Sequence, residues 1–174
     1  MEAIMPTTQS ATTKKTATQK TTTRKSKNHA IKLLTDDHSK VKKMFKEFEK
    51  LHKKHEEGKE ELAQQICKEL TIHAQLEEEI FYPAAREAID DDHLMNEAAV
   101  EHQAAKDLIA KIQSMNSSDP TYDALVTVLG EYVNHHIEEE QSEIFPKVEK
   151  AKMDLEEIGA EIAERKEALM EEQE

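Results

Sequence analysis

Tryptophan is absent from the chain, cysteine occurs once, glycine three times and proline four times. The single cysteine, Cys67, excludes a disulfide framework and any thiolate metal cluster. Few glycines and prolines, with 4% aromatic residues, exclude a turn-rich sheet protein. No apolar run approaches the length needed to cross a bilayer, and the opening "MEAIMPTTQS" lacks the charged-then-apolar layout of a leader. A cytoplasmic protein without membrane contact is the expectation.

Charge is what the chain has most of, at 35% of its 174 residues, with a net value of −13. It is unevenly spread. Residues 1–28 carry six cations (Lys14, Lys15, Lys20, Arg24, Lys25, Lys27) against Glu2 alone. The stretch "PTTQSATTKKTATQKTTTRKSK" is almost free of large apolar side chains and reads as a disordered tail able to touch polyanions. It has no interleaved aromatics to read bases, and the acidic body excludes sequence-specific nucleic-acid binding.

From residue 29 the apolar spacing of three and four predicts four helices, near 29–56, 60–82, 93–115 and 120–144. Gly58 ends the first, Pro83 disturbs the end of the second, and "NSSDP" starts the fourth with Asp119 as cap and Pro120 in the first turn. Short connections make an all-α, up-down-up-down four-helix bundle over residues 29–148 the expected fold. An additional C-terminal helix follows over 149–174. Its heptad row Val148, Leu155, Ile162, Leu169 suits packing on the bundle or pairing with a second chain, so monomer and dimer both stand; Arg165 interrupts a second row.

One charged phrase is written twice. "HAQLEEEIFYP" (73–83) returns as "HIEEEQSEIFP" (136–146), each copy with a histidine, a glutamate four residues on and a proline ten residues on. The four histidines His38, His73, His102 and His136 each replace a core hydrophobe on a different predicted helix. Glu77 and Glu140 lie one turn after two of them, on the same face. A carboxylate on a bundle seam is unfavourable unless a cation meets it, and no Lys or Arg lies on the inward stripes. Imidazole and carboxylate without thiolate suit iron or manganese, and also zinc; facing carboxylates can bridge two cations. Any one of these histidines alone would read as a packing residue, and a metal-free helical interaction module is the plain alternative.

"LLTDDH" (33–38), "HAQLEEEIFYP", "VEHQ" (100–103) and "HHIEEEQSEIFPKV" (135–148) resemble the hemerythrin-like HHE cation-binding family over residues 29–148. The resemblance implies a non-haem di-iron site, with an oxo or hydroxo bridge, that binds or reacts with O2, peroxide or a related small ligand in sensing, detoxification or iron handling. By that resemblance His38 and His73 hold one iron, His102 and His136 the other, and Glu77 and Glu140 bridge them. The oxygen carriers of the family have a further histidine one turn after the third-helix ligand, where this chain has Lys106. An open iron position there favours reactivity, such as catalase-like peroxide breakdown, over reversible oxygen storage.

The remaining candidates read as structural. His135 rivals His136, but His136 matches His73 in its spacing to Glu and Pro. Glu78, Glu79, Glu138 and Glu139 read as a solvated acidic rim, and His29, His52, His55 and His93 as exposed. Phe81 and Phe145 read as packing that keeps water off the site. Spacing selects none of Tyr82, Tyr122 and Tyr132.

Overall fold

The computed structural model describes residues 29–54 and 58–172. The predicted tail and His55 lie outside the described residues, as does the side chain of His52. Helix α1 (Ala30–Lys54) runs up the bundle and Gly58, with a positive φ of 88°, turns the chain into α2 (Lys59–Leu76). A π-helical turn (Glu77–Phe81) then leads without a break into α3 (Tyr82–Ala88). Helix α4 (Asp92–Ser114) follows, capped by Asp91, whose side chain accepts the Leu94 N–H. Helix α5 (Tyr122–Glu139), a second π turn (Glu140–Ile144) and α6 (Phe145–Lys150) repeat the plan of α2 and α3. Helix α7 (Leu155–Glu172) closes the described chain.

Helices α1, α2, α4 and α5 form the four-helix bundle, and α7 lies across α1 and α2. The heptad row therefore packs on its own chain: Val148, Leu155, Ile162 and Leu169 are all buried in one apolar cluster. Gly130 lets α5 approach α1 closely, since a Cβ there would stand 3.0 Å from the Phe45 ring.

Two helix ends differ from expectation, for one reason. The second and fourth bundle helices do not stop at Pro83 and Pro146 but pass through them. Proline has no N–H to give and crowds the carbonyl four residues back. The preceding turn meets this by widening to the π register, in which the Tyr82 N–H bonds the Glu77 carbonyl and the Phe145 N–H bonds that of Glu140. Helix α5 starts at Tyr122, later than "DP" suggested. Asp119 instead accepts from the Thr121 N–H and hydroxyl at 2.8 and 2.7 Å, an Asx turn that delays the helix.

The apolar interior falls into two clusters. One gathers Leu34, Ile72, Leu76, Phe81 and Phe145 with α7; the other gathers Val41, Phe48, Ile66, Ile112 and Leu129 at the far end. A polar layer lies between them.

Candidate metal centre

That layer holds all six predicted site residues, each buried. The four histidines converge with Nε2 inward. His38 and His73 Nε2 stand 3.0 Å apart, and His102 and His136 Nε2 stand 3.1 Å apart. Glu77 reaches between the pairs: Oε1 lies 3.1 Å from His73 Nε2 and 3.8 Å from His38 Nε2, while Oε2 lies 3.2 Å from His102 Nε2. Glu140 Oε2 is 3.2 Å from His38 Nε2. Two three-donor groups result, His38/His73/Glu77 and Glu77/His102/His136, sharing one carboxylate. The rival His135 points outward, with its side chain 65% exposed.

The chemistry of this layer fits cations. Glu77 and Glu140 are completely buried, and all four of their carboxylate oxygens lack a hydrogen-bond partner among the described residues. The imidazole contacts are close but poorly aligned for hydrogen bonding. A buried carboxylate in that condition is unfavourable by several kcal/mol unless a positive charge joins it. Without one, the histidines carry the charge. Burial pushes the Glu77 carboxyl up, but His73, His102 and His38 outweigh it and hold Glu77 well below the usual carboxylate range. Burial also opposes charge on His73, yet Glu77 and Asp37 push its imidazole up to about 10. Glu140 is raised, by burial and then by the charge of Glu77. Donor spacing fits as well: ligands held at about 2.1 Å on adjacent corners of an octahedron stand about 3 Å apart, close to the separations here.

The outer nitrogens show the arrangement metal-bound histidines use, in which Nδ1 is held by a second polar group. Gln141 meets His38 Nδ1 at 3.0 Å, Glu78 meets His102 Nδ1 at 3.1 Å and Glu101 meets His136 Nδ1 at 2.8 Å. Asp37 faces His73 Nδ1 at 3.7 Å. Burial would raise the Asp37 carboxyl, but His73 and Lys166 together hold it below its usual range.

Several of these partners correct the reading of the rim as plain solvated surface. Glu78 braces His102 and also receives Lys106 Nζ at 2.8 and 2.9 Å, while Glu79 is gripped by Arg165 of α7. Lys106 therefore turns to the surface. What stands at the inner face of that subsite is Tyr82, 5% exposed, its hydroxyl 3.2 Å from both His102 Nε2 and His136 Nε2. Burial, then the charges of Glu140 and Glu77, push its phenol well above the usual value. His29 is also buried rather than exposed, while His93 is solvent-facing as expected.

The missed residues had a signal in the repeat. Asp37 and Glu101 each precede a first histidine of their hairpin, Glu78 and Gln141 each follow a buried glutamate of the layer, and Tyr82 aligns with Phe145. Phe145 stacks on His38 with ring planes 8° apart, as Tyr82 lies against His102 in the other half. Between imidazoles and the far apolar cluster is a cavity of about 40 Å³ lined by Val41, Leu70, Ala105, Ile109, Val133 and Ile137.

The profile of the hemerythrin HHE cation-binding domain matches residues 29–148. The chain belongs to that family. Its fold is similar to that of a hemerythrin HHE cation-binding domain-containing protein from Mycobacterium kansasii, with a TM-score of 0.68 at 23% identity, over 81% of this chain and 86% of the other. A protein of Nostoc sp. strain PCC 7120 named DNA nickase is 33% identical over 110 residues, which is 63% of this chain and 30% of that protein. This hemerythrin-fold chain thus carries two His/Glu clusters positioned for a binuclear site of the di-iron type, with Glu77 common to both. No helix among the described residues is long and apolar enough to cross a membrane.

Proposed function

We propose that the chain is a hemerythrin-like di-iron protein that binds or reacts with O2, peroxide or a similarly small ligand. His38, His73, Glu77, His102, His136 and Glu140 are its metal ligands, with Tyr82 as a further oxygen donor at the His102/His136 subsite. The observation that carries the reading is the pair of fully buried carboxylates with four unpartnered oxygens, set among four inward Nε2 atoms. A metal-free packing module has no use for that arrangement. Iron held by imidazole and carboxylate supplies one-electron steps and ligand positions for oxygen chemistry.

The protein's own residues do the rest. Glu77 ties the two subsites together through its separate oxygens. Phe81 and Phe145, meeting edge to face at 5.6 Å, exclude water from one side. The apolar cavity on the other side has room for a diatomic-sized guest and few groups to hold water. Tyr82, from the Phe81/Phe145 side of the layer, presents its hydroxyl to His102 and His136, while Lys106 lies on the cavity side.

The domain spans residues 29–148, and α7 buries its apolar row on its own bundle, which takes that row away as a dimer seam; the single cysteine suits the cytoplasm. Residues 1–28 contact polyanions through charge alone, so their binding weakens steeply with salt. The test is elemental analysis of full chain from iron-replete cells, with visible spectra taken with azide and with peroxide. About two irons per chain are expected. Sustained oxygen release, lost in His102→Ala, assigns peroxide turnover, whereas a stable charge-transfer band without turnover assigns binding. A folded chain with no bound metal overturns the reading.

A further inference from the structure

The family match ends at residue 148, yet α7 beyond it reaches the outer shell of the centre. Arg165 holds Glu79 on the π turn that begins with Glu77, through Nε at 2.7 Å and Nη2 at 3.3 Å. Its neighbour Lys166 pairs with Asp37 Oδ1. We propose that Lys166, by holding Asp37 away from His73, keeps the His38/His73 subsite a weaker electron donor to its metal than the His102/His136 subsite. This rests on the di-iron reading above.

The two halves supply an internal control. Glu101, the counterpart of Asp37, accepts from His136 Nδ1 at 2.8 Å, and its other imidazole neighbour, His135 at 3.5 Å, belongs to the same hairpin. Asp37 Oδ2 stands 3.7 Å from His73 Nδ1, beyond hydrogen bonding, and that buried nitrogen has no hydrogen-bond partner among the described residues. A carboxylate accepting from the outer N–H of a ligand imidazole strengthens the imidazole as a donor, and an ammonium on the carboxylate withholds that effect. The second subsite also has the Tyr82 hydroxyl where the first has the Phe145 ring. Both differences run the same way; Lys106 on Glu78 tempers His102 by the same rule, but Glu101 on His136 meets no ammonium among the described residues. The second metal favours the ferric state, and the first is reduced more easily. Lys166 is a positioning residue in this scheme, acting through Asp37.

The test is a reductive titration of the iron-loaded full chain, following the mixed-valent signal by electron paramagnetic resonance. Wild type gives two separated steps. Lys166→Met frees Asp37 to close on His73, so the more easily reduced step moves to lower potential, the gap narrows and the mixed-valent signal falls; Lys166→Arg retains the wild-type gap. In an Asp37→Asn background the Lys166→Met shift disappears, because the carboxylate that transmits it is gone. A shift of the same size in that background reports lost surface charge and overturns the proposal, as does an unchanged gap in Lys166→Met. A wild-type chain without two irons refutes the di-iron reading itself, before any variant is compared.

Discussion

The two hairpins of this bundle are built to one plan and finished differently. In each, an acid precedes the first histidine, a glutamate follows the second by one turn, and the next residue reaches across to an opposing imidazole. The α1/α2 half has Asp37 and receives Gln141 and Phe145; the α4/α5 half has Glu101 and receives Glu78 and Tyr82. Repetition brings the donors together, and the substitutions within it make the subsites unlike. One subsite is backed by a neutral amide, a phenyl ring and a carboxylate under the control of α7. The other is backed by a phenol and two carboxylates, of which Glu78 is shared with Lys106 and Glu101 is not.

The largest effect comes from removing a buried carboxylate of the polar layer. Glu140→Leu takes the iron content below two per chain. It also raises the melting temperature of the metal-free form, since burial and the charge of Glu77 both work against the Glu140 carboxylate. Elemental analysis and calorimetry of the metal-free protein read both. A variant that melts lower without metal contradicts the view that Glu140 is kept for a cation.

Exchange of the aromatic pair tests the asymmetry directly. Tyr82→Phe removes the sole hydroxyl difference, and the ferric protein loses phenolate-to-iron absorption and resonance-enhanced tyrosine vibrations. Phe145→Tyr in that background restores an oxygen at the opposite subsite. Absence of a tyrosine signal in wild type shows that Tyr82 only hydrogen-bonds there.

The bracing acids follow. Glu101→Ala weakens metal binding by about 10–100-fold, as loss of an outer-shell partner does, and Asp37→Ala weakens it less because its contact is already long. Competition with a chromophoric chelator measures the ratio; equal losses remove the distinction between the hairpins.

Proton linkage is the smallest effect. The folded metal-free protein holds His73 protonated up to about 10, above the ordinary 6.5. Its contribution to metal-free stability is therefore complete below the unfolded value and is lost as pH rises through the folded one. Metal must displace that proton, so uptake releases protons and tightens as pH rises across neutrality. Calorimetry in buffers of different ionisation enthalpy counts them.

Much of this was legible in the sequence. Polar residues interrupting apolar stripes located His38, His73, His102, His136, Glu77 and Glu140, because periodicity reports which face a residue occupies. Periodicity does not report how far a side chain reaches across to another helix. Glu78 looked like its exposed neighbours and is distinguished by where His102 presents Nδ1; Tyr82 was one of three tyrosines. By local rules Pro83 disturbs a helix end, because they count the hydrogen bond it removes, whereas here the turn before it changes register. The choice between dimer seam and self-packing for α7 depended on whether the bundle left a groove open over α1 and α2, which is a property of the assembled fold.

The widened turns also set the phase of everything after them. Rewinding Glu77–Phe81 as ordinary helix with every residue kept would swing the following stretch by about 100°. Tyr82 would leave the imidazoles and Arg165 would lose its grip on Glu79. Sequence length between each histidine and its proline is therefore a dimension of the centre, as consequential as the identity of any donor.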